Sequence, residues 1–207
     1  MDEDHGIYAL ADPEERSRRL RMLKNAHIGP LARLVESIRS EQGLSQEIPY
    51  FDSQDGGIAA RALFLLEAPG PKAVESGFIS RNNPDPTARN FLLLLNEARI
   101  LWEETVLWNI IPWYIGTGKR IRPARRSDIQ KGQTYLHRLL ALLPNLDAIV
   151  LVGRKAQATA TFLSTVTSAR VFQPLHPSAQ VITCWPEKRV QLMEELRSVR
   201  SFLDGRN

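Results

Sequence analysis

Cysteine is almost missing from this chain. Cys184 stands alone among 207 residues, which excludes an internal disulfide and any iron–sulfur cluster held by four cysteines of one chain. Long apolar runs are missing too. None approaches the roughly 20 residues that a bilayer-spanning helix needs, so no membrane partner is expected. The four histidines, His5, His27, His137 and His176, show no metal-ligand spacing, and no metal is expected. The first residues, Met1-Asp2-Glu3-Asp4, lack the basic-then-apolar pattern of a secretory signal, and the expected location is the cytoplasm. With no internal repeat, low-complexity tract or linker, residues 1–207 are expected to form a single domain.

What is present is an ordinary globular composition, 43% hydrophobic and 24% charged, in a chain long enough to bury one real core. Four short apolar runs stand out: Ala60 to Glu67, Thr105 to Ile111, Asp147 to Val152 and Ala169 to Leu175. They read as strands, near-continuously apolar as strands covered on both faces should be. Helical patterns separate them. Thr87 to Ile100 is rich in leucine, with Asp85 or Thr87 as its cap. Another helix opens at Ser127-Asp128 and ends before Pro144-Asn145, a third spans Ala156 to Phe162, and an amphipathic helix runs from Pro186 to Phe202. Residues 13 to 42 also read as helical, starting at Asp12-Pro13-Glu14-Glu15 and broken at Gly29-Pro30. Residues 1 to 50 are thus expected to be a helical N-terminal extension on the same core. Pro69 to about Pro86 reads as a long polar loop, and Pro112 to about Pro123 as a basic one.

Strands alternating with helices predict an α/β fold, a three-layer α/β/α sandwich around a central four-stranded, mainly parallel sheet. In such sheets ligands sit beyond the carboxyl ends of the strands. Glu67, Asn109 and His176 all fall at such ends.

Three segments at these ends carry a likeness. Leu66-Glu67-Ala68-Pro69-Gly70 follows the first strand, Val106-Leu107-Trp108-Asn109 closes the second, and His176-Pro177-Ser178 follows the fourth. In order and spacing they resemble the uracil-DNA glycosylase superfamily. The resemblance implies a monofunctional enzyme, needing no cofactor, that hydrolyses the glycosidic bond of uracil in DNA and leaves an abasic site. Its substrate would be single- or double-stranded DNA containing uracil, and the chain is expected to be a monomer. Part of that family, sharing the Glu-Ala-Pro-Gly loop, carries an iron–sulfur cluster, and the single cysteine sets this chain apart from that branch.

The resemblance also implies roles. His176 would donate to uracil O2 as negative charge grows on the base, and Asn109, whose amide both donates and accepts, would read O4 and N3–H. Ala68 falls where the well-known branch has a water-holding aspartate, and a methyl group cannot act as a base. Glu67 is the natural substitute, with its bracing of the loop as the competing reading, while Asp85 or Asn82 could supply the missing function. Ala68, Pro69 and Gly70 would contact the base, Gly70 replacing a tyrosine that excludes thymine's methyl. Phe78 is the best stacking candidate, with Ile79 as the alternative register. Ser178 resembles a serine that touches a DNA phosphate. The following Ala179-Gln180-Val181 lacks the leucine that many relatives push into the base stack, which points to single-stranded substrates.

Arg81, Lys119, Arg120, Arg122 and Arg125 are candidate phosphate contacts, in keeping with a net charge of +4 and clustering of the cations in one loop. Trp108, Trp113 and Tyr114 could line a nucleic-acid groove, at least one of them being core. Lys72 offers no special case for Schiff-base chemistry. Three other readings stay open. One is a relative acting on hypoxanthine or mismatched thymine, or trapping the abasic sugar through His176. Another is a non-catalytic DNA binder. The third is a phosphate-binding module at Gly153-Arg154-Lys155, which lacks the glycine-rich spacing of a phosphate loop.

Overall fold

The four apolar runs build the middle of the molecule. In the computed structural model, which describes residues 6–44, 47–117 and 120–206, they form β1 (Ala62–Leu66), β2 (Thr105–Asn109), β3 (Ala148–Leu151) and β4 (Arg170–Phe172). The sheet order is β2-β1-β3-β4, and every pairing in it is parallel. β2 and β3 are buried along their whole length. That double burial is why the sequence shows unbroken apolar runs instead of alternation.

Nine helices surround the sheet among the described residues: α1 (Pro13–Met22), α2 (Gly29–Gln42), α3 (Pro71–Ser76), α4 (Pro86–Glu97), α5 (Arg126–Leu140), α6 (Arg154–Gln157), α7 (Ala160–Val166), α8 (Ala179–Cys184) and α9 (Pro186–Asp204). The expected three-layer α/β/α arrangement is present. The N-terminal helical stretch is two helices, because residues 23–28 leave the helix before Gly29 restarts it. Leu31, Leu34, Val35 and Ile38 of α2 bury into the same hydrophobic cluster as the sheet. Trp108 stacks on Phe51 with ring centroids 3.8 Å apart. Trp113 meets Tyr135 edge-on at 6.2 Å.

The loop expected over residues 69–86 holds more order than its polarity suggests. It contains α3, started by Pro71, and a two-residue strand, Phe78–Ile79, paired in parallel with Tyr50–Phe51. The basic loop is a short antiparallel hairpin, in which Gly116 pairs with Ile121. No described helix is long and apolar enough to cross a membrane.

A buried ionic network joins the N-terminal helices to the sheet. Arg19 of α1 is 3% exposed and pairs with Asp52, and it donates to Asn82 Oδ1 at 2.7 Å. Ser80 also donates to Asp52. A second pair lies alongside, Arg81 Nη2 donating to Asp55 Oδ1 at 3.0 Å and to Thr105 Oγ1 at 2.6 Å. Asp55 in turn accepts the backbone N–H of Leu107 at 3.1 Å. These contacts fix both residue 105 and residue 107 of β2, the strand that carries Asn109. Burial pushes the Asp55 carboxyl up to about 7, against the pull of Arg81.

Candidate active site

Parallel pairing brings the strand exits to one level. Leu66 lies opposite Asn109, and Leu65 opposite Leu151. Beyond the last rungs, Ile110 N–H donates to Leu66 O at 2.8 Å and Ile111 N–H to Glu67 O at 3.0 Å. On the other side, Gly153 N–H donates to Pro174 O at 3.0 Å. The backbone thus sets Glu67, Asn109 and His176 around one opening before any side chain contributes.

That opening is a cleft of about 430 Å³, in the range of small-molecule sites. Glu67, Asp85, Asn109 and His176 all line it, with Ala68 and Gly70 at its edge. Asn109 is 4% exposed, and its Oδ1 has no hydrogen-bond partner. A buried acceptor without a partner costs free energy, and Asn109 is among the residues that line the cleft. Glu67 Oε1 accepts the backbone N–H of Ala124 at 3.3 Å. Lys155 Nζ donates to the carbonyl of the same residue at 3.4 Å. Asp85 caps α4, accepting Ala88 N–H at 2.9 Å. It therefore serves the helix and borders the cleft at once. A second cavity, of about 560 Å³, shares Glu67 and His176 with Val152, Gly153, Arg154 and Lys155.

His176 is half-buried, and burial holds its pKa below the usual histidine value, with the Asp85 carboxylate pulling the other way. It is a neutral imidazole at pH 7. Its loop is held from several directions without use of the ring. Gln157 Nε2 donates to Gln173 O and Pro174 O, both at 3.0 Å. Glu195 accepts Leu175 N–H at 3.1 Å, and Asn90 donates to Pro177 O at 3.3 Å. Gly153 closes the fit. Its φ is +84°, and a Cβ there would lie 2.9 Å from His176 Cβ. Gly153→Ala is accordingly expected to lose about 1–3 kcal/mol of stability and to displace His176. Thermal melting and base-release rates would check this, and a variant matching the parent in both would contradict the packing argument.

A family model described as the uracil DNA glycosylase superfamily matches residues 53–197. The chain belongs to that superfamily. A search of curated proteins finds no match. Membership in the uracil-DNA glycosylase superfamily brings DNA base excision and hydrolysis of a glycosidic bond, and makes DNA the macromolecule acted on.

Against that family background, several expected residues sit elsewhere than their sequence context suggests. Arg81 is not available to a phosphate. It is 1% exposed, paired with Asp55, and lies 4.1 Å from the Trp102 ring. Its polar neighbourhood reads as surface only because its partners lie more than 20 residues away. Asn82 is likewise buried, held by Arg19 and Gly6. Phe78 is fully buried and lies off the cleft, which is lined by its neighbour Ile79.

Trp108 and Trp113 belong to the core. Pro69 is buried and Ser178 half-buried, neither lining the cleft. Arg122 makes two hydrogen bonds to Asp128, at 2.6 and 2.9 Å, while Arg125 is exposed. Lys119 lies outside the described residues, and the side chain of Arg120 is not described. Phe91 and Ile121 are among the lining residues that went unread in the sequence. Phe91 lies three positions after Ala88, on the same face of α4, and that spacing was its available signal.

Proposed function

We propose that the protein hydrolyses the N-glycosidic bond of uracil in DNA, releasing the free base and leaving an abasic site. The observation that carries this reading is the convergence of Glu67, Asn109 and His176 on one cleft, with Asn109 Oδ1 left without a hydrogen-bond partner. A flipped uracil offers N3–H to that oxygen and O4 to the amide NH₂. His176, neutral at pH 7, donates to O2 as negative charge accumulates on the departing base. Glu67 holds a water against C1′ of the sugar. The water oxygen bonds to C1′ as the C1′–N1 bond breaks, N1 keeps the bonding pair, and the water's proton passes to Glu67. The chain acts as one unit in this reading, with the first N-terminal helix tied in through the Arg19–Asp52 pair.

A second target is favoured by one feature. A Cβ on Gly70 would meet nothing within 4 Å, so that edge of the cleft has no wall against a methyl group or a larger base. Mismatched thymine and hypoxanthine belong in the test for that reason.

The test is alkaline cleavage of a labelled oligonucleotide carrying one uracil, single-stranded and paired, with the other two bases beside it. Strand scission at uracil is expected. Asn109→Leu, near in shape but without polar atoms, is expected to lower kcat/KM for uracil by about 10- to 100-fold. Scission only at another base would reassign the substrate, and a loss below twofold in the leucine variant would remove Asn109 from base reading.

A further inference from the structure

Ile121 is an exposed apolar residue on a basic hairpin. It is 43% exposed and lines the mouth of the cleft. A lone exposed isoleucine needs no explanation in general, but this one has a built mount. Its hairpin partner is Gly116, which has no side chain to cover it. The residue following it, Arg122, is clamped by both carboxylate oxygens of Asp128 in the first turn of α5, at 2.6 and 2.9 Å. Arg122 N–H also donates to Ile115 O at 3.3 Å, and Ile115 is 4% exposed. An apolar side chain thus stands exposed beside the cleft, with the exposed cations Arg125 and Arg126 following in the chain.

We infer that Ile121 is a wedge that enters the base stack of duplex DNA as the target nucleotide leaves it. Apolar side chains of this size inserted between base steps unstack them, with neighbouring cations holding the backbone. The segment after Ser178, which begins with the exposed Ala179 and Gln180, offers no comparable side chain at its start. A wall for the flipped base would be a different use of Ile121, but a residue so exposed at the rim contacts the strand more readily than an enclosed base. The inference rests on the uracil-excision reading for its kinetic test and stands apart from it in a binding test.

Ile121→Ala is expected to lower uracil excision from duplex DNA by about tenfold more than excision from single strands. Ile121→Leu is expected to retain the duplex rate. Equal loss on both substrates would make Ile121 a wall of the base site, and no loss on duplex would remove its role; either result overturns the wedge. Should the wild type release no uracil at all, that reading of the function fails by itself. The wedge is then judged by 2-aminopurine fluorescence in a duplex. Its rise on binding the wild type, absent with Ile121→Ala, would support it, and no rise with either protein would overturn it.

Discussion

Replacing His176 by alanine is expected to slow base release about 100- to 1000-fold while leaving the protein folded. The magnitude is that of removing one preorganised donor from a developing anion. The intact fold follows from how the loop is held. Gly153, Gln157, Glu195 and Asn90 all bind its backbone, and none uses the imidazole.

The pH dependence has a definite sign. Burial lowers the folded pKa of His176 below 6.5, so the neutral donor survives acidification through that value and activity falls only further down. Stability follows the same group. The unfolded chain takes up the proton near its ordinary pKa of about 6.5 while the folded one resists. His176 therefore costs the wild type stability as pH drops from there toward the folded pKa, and His176→Ala should lack that slope. Single-turnover rates and melting curves between pH 5 and 8 would check both. A loss of activity below fivefold, or a midpoint above 6.5 in an NMR titration of the ring, would refute the assignment.

Arg81→Ala is expected to cost about 3–5 kcal/mol, the usual result of leaving a buried charge without its partner. Asp55 would keep the Leu107 N–H but lose Arg81, and Thr105 Oγ1 would lose its donor. A carboxyl whose folded pKa is raised is least harmful at low pH and loses stability as pH rises through that value. In the wild type burial puts it at about 7 despite Arg81, and without Arg81 it must go higher. The deficit of the variant should therefore widen as pH passes about 7. Urea unfolding at pH 5 and pH 8 reads this directly. A deficit under about 1 kcal/mol at pH 8 would mean that the pair contributes little to the fold.

How much of this was visible in the sequence depends on the range of the interactions. The central strands were legible because double burial writes itself locally as unbroken apolar runs. Asp85 was legible as a cap because its acceptor serves a donor only three residues on. Arg81 was not, since nothing near it in the chain announces Asp55 or Thr105. Phe78 and Ile79 could not be told apart because their facing is set by the parallel pairing with Tyr50 and Phe51, 28 residues earlier in register. The helices α3 and α8, six residues each, are too short for a periodic pattern to show. Glu67, Asn109 and His176 could be grouped because a parallel sheet gathers its strand exits whatever the intervening sequence.

Asn109 occupies the final rung between β1 and β2, opposite Leu66. Adjacent residues of a strand point to opposite faces, so a slip of one position would turn its amide away from the opening. The backbone ladder that prevents such a slip is indifferent to side chains. The two jobs are therefore separable: peptide groups hold the aim, and the residue at position 109 is free to be exchanged for one that reads another base. A scaffold of this kind can change what it selects without relearning how to fold.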